Sequence, residues 1–324
     1  MDSRTQPSPA QSSGSVNRQN LSAAPQVLFL HGLNTFGDDL LHIGPRSYGR
    51  MDRELKQELA RCGVTIHSVD GVGCGSPEEQ ADLVCDWLRK KLGSEELARK
   101  RPLVILGNSL GGLVARVVAH RLSAPRSGSD LADLAPWTIP LVVTWGTPHR
   151  GTVAAGITRE LASRHPQLFQ TVRRLATTIR YDLDERDQTF RHYTPQAMDV
   201  FNLKYPPLTG VVREVSLLCR VPMRDVAPCF WLLYPRLHGR NYINMLKDYV
   251  SQSETHAPSD GFIPVGSQAW GETRGDFRLD HFVQMGFAEL LPQKAQREFA
   301  RSEFRNLVKT LVDLIEETTR RSGI

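Results

Sequence analysis

Pro102-Leu-Val-Ile-Leu-Gly-Asn-Ser109-Leu-Gly-Gly112 decides how this chain folds: an apolar run meets Gly-x-Ser-x-Gly, and a helical pattern begins at once. Leu103 to Leu106 is apolar throughout, as in a strand buried on both faces. Leu113, Val114, Val117, Val118 and Leu122 instead share one helical face. A strand that turns sharply into a helix leaves the apex residue standing outward. Gly107 and Gly111, lacking Cβ, let neighbouring backbone pass close to the turn. The apex residue is Ser109. The helix behind it aims unpaired N–H groups, and the positive end of its dipole, at whatever the hydroxyl attacks. The Leu110 N–H is therefore read as half of an oxyanion hole. Gly-x-Ser-x-Gly alone recurs by chance in a chain rich in glycine and serine; its flanks carry the assignment.

On either side, strand and helix alternate. Gln26 to Leu30 is an apolar strand ending in His31-Gly32-Leu33-Asn34, and a helix follows around Leu55 and Leu59. Val64 to Val69 reads as the next strand, and Ala81 to Leu92, with Leu83, Val84, Trp87 and Leu88 on one stripe, as the next helix. After a polar connector over 123–138, Pro140 to Trp145 is another buried strand. This order predicts an α/β fold, a mostly parallel sheet with helices on both faces. From 152 to about 258 the rhythm breaks. Helical stretches at 157–178 and 195–203 surround one strand, 210–218, and the segment is read as a cap or lid inserted at the carboxyl edge of the sheet. Within it Phe230, Trp231 and Leu232 belong to an apolar run without helical period, and are candidate substrate-binding residues. A final helix over 294–320 carries its stripe on Phe304, Leu307, Val308, Leu311, Val312 and Ile315.

The 324 residues, 40% hydrophobic, suffice for one large core plus an insertion, so residues 25–324 are read as a single elaborated domain. Residues 1–24, with six serines and almost no large apolar side chains, read as a disordered tail and not as a signal peptide. A cytoplasmic location is expected, with signal-independent export as the alternative. No run approaches the roughly 18 apolar residues of a membrane span. The net charge of +5 is modest and argues against nucleic acid as a partner. Most of it lies in 151–258, where 14 Lys/Arg face 10 Asp/Glu. Five cysteines show no metal-ligand spacing and read as thiols; Cys219 and Cys229 would pair only in an oxidising compartment.

A serine hydroxyl becomes a useful nucleophile when an imidazole takes its proton and a carboxylate fixes that imidazole. Behind a nucleophile elbow the partners follow in the order acid, then base. Asp260, in Ser259-Asp-Gly-Phe-Ile-Pro-Val265, is the candidate acid, and His281, in Arg278-Leu-Asp-His-Phe282, the candidate base. His149 and His256 precede the acid and stand in the wrong order. Asp280 adjoins His281 and is expected to brace its loop, and Asp276 is a weaker rival acid. His31 is expected to be structural. The Leu33 N–H, following His-Gly after the first strand, is the expected second oxyanion donor.

Taken together, His31-Gly-Leu-Asn, Gly107-Asn-Ser-Leu-Gly-Gly112, Thr147-Pro-His-Arg-Gly151, Phe201-Asn202, Asp260-Gly-Phe-Ile-Pro-Val and Asp280-His281 resemble the bacterial triacylglycerol lipases of the α/β-hydrolase superfamily over about 26–290. The resemblance implies an α/β-hydrolase fold, hydrolysis of carboxylic esters of acyl lipids without a cofactor, a mobile helical lid, and transient contact with a lipid surface. Many secreted members hold calcium through an aspartate two residues after the catalytic histidine. This chain has Val283 there, and no metal is expected. Phospholipase or acyltransferase chemistry on the same triad, and a non-catalytic acyl-ligand or partner-binding module, are the alternative readings.

Overall fold

The computed structural model describes residues 24–32, 50–69, 75–91, 101–123, 137–152, 155, 167, 189–222, 225–226 and 258–321. They build one six-stranded sheet: β1 (Gln26–Leu30), β2 (Thr65–Ser68), β3 (Leu103–Asn108), β4 (Leu141–Trp145), β5 (Arg213–Cys219) and β6 (Glu272–Phe277), in the order β2-β1-β3-β4-β5-β6. Every neighbouring pair is parallel. Parallel pairing needs crossovers, and these supply α1 (Arg50–Arg61), α2 (Pro77–Lys91), α3 (Leu110–Ser123) and α4 (Pro195–Lys204), with α5 (Lys294–Arg321) closing the chain.

Side chains that alternate along each strand feed two cores. Val27, Phe29, Val104, Leu106, Leu141, Val143 and Trp145 pack on the face covered by α1 and α5, with Leu55, Phe304, Leu307 and Leu311. Leu28, Leu30, Leu103, Ile105 and Val142 face α2 and α3. Burial on both faces is why β1, β3 and β4 read as unbroken apolar runs. The stripe expected on the last helix is buried at Phe304, Leu307, Val308, Leu311 and Ile315, while Val312 is half-buried.

Two readings change. The strand inside the 152–258 segment is not part of an insertion: β5 lies between β4 and β6 in the central sheet, and Met198 and Phe201 of α4 join the same apolar cluster as α2 and α3. A single strand flanked by helices looks the same in sequence whether it joins the sheet or not. Residues 156–166, 168–188 and 227–257, which carry most of the expected lid, lie outside the described residues. The second change is β6, an edge strand absent from the sequence reading. Its residues Glu-Thr-Arg-Gly-Asp-Phe are exposed up to Phe277 and carry no apolar alternation. Charge on an edge blocks pairing with another chain, which is what the position demands.

An all-parallel sheet places the carboxyl ends of its strands on one edge, where α/β proteins bind ligands. Gly32 follows β1 there, Ser109 follows β3, and the Thr147–Thr152 loop follows β4.

Candidate active site

The elbow is built from backbone approaching backbone. Ser109 has φ +52°, the left-handed region, at a cost of about 1–2 kcal/mol for a residue with Cβ. Its N–H donates to Trp145 O at 2.9 Å, which ties the apex to β4. A Cβ on Gly107 would stand 2.5 Å from Gly112 Cα, and one on Gly111 would run into the carbonyls of Leu30 and His31. Glycine is thus required at both positions for α3 to start where it does. Gly32 lies directly against the serine, since a Cβ there would meet Ser109 Cβ at 2.7 Å.

The structure brings Ser109, His281 and Asp260 together. Ser109 Oγ lies 3.0 Å from His281 Nε2, and His281 Nδ1 lies 2.8 Å from Asp260 Oδ2. The Asp260 carboxylate is fully buried. Oδ1 accepts from the N–H groups of Phe262 at 2.9 Å and Ile263 at 2.6 Å. Asp260 O accepts from His281 N at 2.8 Å, so the acid and base loops are joined through main chain as well. The Phe262 ring sits 5.2 Å from the imidazole. Leu110 opens α3, so its N–H is among the first-turn donors that a helix leaves unpaired. Leu33, Phe230, Trp231 and Leu232 lie outside the described residues, as do His256, Cys74 and Cys229.

The rivals have other duties. Asp280 Oδ1 accepts from Phe282 N at 2.9 Å and Val283 N at 2.7 Å, bracing the 3-10 turn Val283–Met285. Asp276 pairs with Arg220 on the surface. His31 is buried with its ring 4.2 Å from Phe29. Cys85 and Cys219 are buried thiols and Cys62 is an exposed one. Burial, with Asp260 nearby, pushes the Cys219 thiol well up. Among the described residues no group of His, Cys, Asp and Glu clusters as metal ligands would, and no helix is long and apolar enough to cross a membrane.

His149 belongs to a buried network that sequence reasoning missed. Arg116, on α3 and fully buried, donates to His149 Nδ1 at 3.3 Å, to Asn202 Oδ1 at 3.0 Å and to Tyr205 O. Its guanidinium lies 3.4 Å above the Trp270 ring. His149 Nε2 lies 2.9 Å from Thr144 Oγ1, which is 3.3 Å from Ser216 Oγ, and Ser216 Oγ donates to Trp270 O at 2.6 Å. This chain of donors closes when His149 is neutral with its proton on Nε2. Asn202 Nδ2 donates to His149 O at 2.8 Å, which gives the Phe201-Asn202 pair its place. The loop after His149 then grips the acid loop: Thr152 Oγ1 donates to Phe262 O at 2.9 Å, and Ser267 Oγ, which donates to Gly151 O at 2.6 Å, accepts from Arg150 N at 3.1 Å.

Burial first, then Arg116 and Arg150, holds His149 well below its ordinary 6.5. The unfolded chain takes up that proton near 6.5 and the folded one does not, so stability falls as pH drops below about 6.5, by up to about 1.4 kcal/mol per unit from this residue. Urea midpoints at pH 7.5 and pH 5 check this. The fall between them is expected to be smaller in His149→Gln than in the parent.

The chain matches the alpha/beta hydrolase family over residues 27–284. It is 27% identical over 232 residues to Triacylglycerol lipase 2 of Saccharomyces cerevisiae, a match covering 70% of this chain and 59% of that protein. The chain thus spans less than two thirds of that relative's length. Its fold is similar to the Staphylococcus hyicus lipase (TM-score 0.59, 14% identity, 93% of this chain and 97% of that one). It is also similar to EstA from Clostridium botulinum (TM-score 0.56, 16% identity, 87% of each chain). With the parallel sheet, the strained elbow after β3 and a family match over most of its length, this chain belongs to the alpha/beta hydrolase family.

Proposed function

We propose that the protein is a serine hydrolase that cleaves carboxylic esters of acyl lipids through an acyl-enzyme on Ser109. The observation that carries the reading is the relay from Ser109 Oγ to His281 Nε2 at 3.0 Å and from His281 Nδ1 to Asp260 Oδ2 at 2.8 Å. His281 takes the hydroxyl proton as Oγ attacks the ester carbonyl, and Asp260 fixes the imidazole and offsets the charge it gains. The tetrahedral oxyanion rests on the N–H groups of Leu110 and Leu33. Collapse breaks the ester C–O bond, and His281 returns the proton to the leaving alcohol. Water then repeats the sequence on the acyl-enzyme and frees the acid.

Acyl lipids are favoured as substrates by the sequence likeness to a yeast protein named as a triacylglycerol lipase. Phe230, Trp231 and Leu232 would line the acyl pocket under a lid drawn from the parts of 152–258 that lie outside α4 and β5. Transient contact with a lipid surface would suit the excess of basic over acidic residues in 151–258, 14 against 10.

Two measurements on purified protein test this: labelling by a fluorophosphonate probe, and a substrate series from acetyl esters to long-chain glycerides and phosphatidylcholine. The expected result is a single label on Ser109, with long-chain glycerides preferred and turnover rising once substrate passes its solubility limit. An unlabelled protein would be an inert scaffold. A labelled one that acts on acetyl esters alone, with a hyperbolic curve throughout, would be an esterase and not a lipase.

A further inference from the structure

We infer that Gln284 is a positioning residue for the acid of this relay: its amide donates to the same Asp260 oxygen that receives the imidazole, and keeps that carboxylate aimed at the ring. The inference rests on the Ser109–His281–Asp260 reading above. Gln284 is fully buried, and its Nε2 lies 2.8 Å from Asp260 Oδ2. Four donors therefore hold one carboxylate: the Phe262 and Ile263 N–H groups on Oδ1, and His281 Nδ1 and Gln284 Nε2 on Oδ2. Such donors take the place of the water that a fully buried carboxylate has lost.

The other end of the amide shows that packing is not what the glutamine is for. Only the NH2 group can face a carboxylate, so Oε1 is fixed on the far side, where it has no hydrogen-bond partner among the described residues. A buried carbonyl left unpaired is costly, and Met or Leu would fill the same space without it. The far side is kept open by Gly146, whose φ of +56° suits glycine and where any Cβ would run into Gln284 Oε1. The amide also arrives on the same turn as the base. Gln284 N donates to Asp280 O at 3.1 Å, and Asp280 Oδ1 braces the turn from within, so His281 and Gln284 reach Asp260 as one unit.

The test is a double-mutant cycle on the full chain with Gln284→Met, Asp260→Asn and both. It reads kcat and KM on a p-nitrophenyl ester, the labelling rate of Ser109 and the melting temperature. Gln284→Met is expected to melt at or above the parent temperature. Its kcat should fall about 10- to 100-fold with KM unchanged, the loss of one hydrogen bond to a charged group. In the Asp260→Asn background, where no carboxylate remains, the same change is expected to add nothing. Gln284→Asn, which withdraws the amide by one methylene, should reproduce the loss if the methionine variant does not fold. A parent-like kcat, or an equal factor in both backgrounds, would overturn the inference. Should the parent itself neither hydrolyse nor label, the ester reading fails separately. The low-field proton resonance of His281 Nδ1–H then decides the matter: a shift in Gln284→Met supports the positioning role, and an unmoved resonance refutes it.

Discussion

Ser109→Ala is expected to lower ester turnover by about 10⁶ while leaving the melting temperature close to the parent value. The size follows from how the relay is built. On the proposed mechanism His281 and Asp260 act only by moving the proton of one hydroxyl, so removing that hydroxyl would idle them together and leave the oxyanion donors to give what residual rate remains. Fold stability should hardly change, because the lost atom's partner is the His281 ring, 3.0 Å away and itself anchored on Asp260. Ser109 even carries left-handed backbone strain that alanine neither relieves nor worsens much. Stopped assays with p-nitrophenyl esters, alongside loss of fluorophosphonate labelling, measure the effect. Near-parent turnover in this variant would remove Ser109 from the chemistry altogether.

Arg116→Met is expected to destabilise the protein by about 4 kcal/mol, read as a drop of about 10 °C in melting temperature. One guanidinium joins α3, the loop after β4, α4 and the β5–β6 connection, through His149, Asn202, Tyr205 O and the Trp270 ring. Burial pushes Arg116 down to about 9, still a cation at pH 7, with Glu214 as the opposing charge. Removing it strands His149 Nδ1, the Asn202 carbonyl oxygen and the Tyr205 carbonyl in the interior, and unmet polar groups are costlier than the net worth of the bonds lost. Arg116→Lys is expected to be nearly as damaging. An ammonium cannot spread over the indole while reaching three acceptors set in a fork. Thermal melts of both variants check this. A melting temperature within two or three degrees of the parent would mean that solvent or repacking replaces the network.

Much of this architecture was legible in the sequence for one physical reason: strands buried on both faces must be apolar at every position, and glycines must stand wherever backbones touch. Both conditions leave letters behind, as at Leu103–Leu106, Gly107 and Gly111. The order of acid and base narrowed Asp260 and His281 from several rivals, and the expectation that Asp280 braces its own loop matches its bonds to Phe282 N and Val283 N. What was not legible lacks such a mark. β6 is an edge strand whose solvent-facing residues have no hydrophobic period, and β5 advertises a strand without saying which sheet receives it. Arg116 reads as one polar break in a helical face, since charged side chains are usually solvated there. Gln284 reads as a polar residue in a loop, and its partner lies 24 positions away.

The parallel order of the sheet also bears on how the protein is made. Ser109 and His281 are 172 residues apart in sequence, and the strands between them, β4, β5 and β6, must each be laid beside its neighbour before the histidine has anywhere to dock. During synthesis the chain proceeds from its amino end, so the elbow emerges from the ribosome long before the imidazole it needs. A nascent or truncated chain ending ahead of residue 281 carries the hydroxyl without its imidazole, and on the proposed mechanism is expected to be inert toward esters.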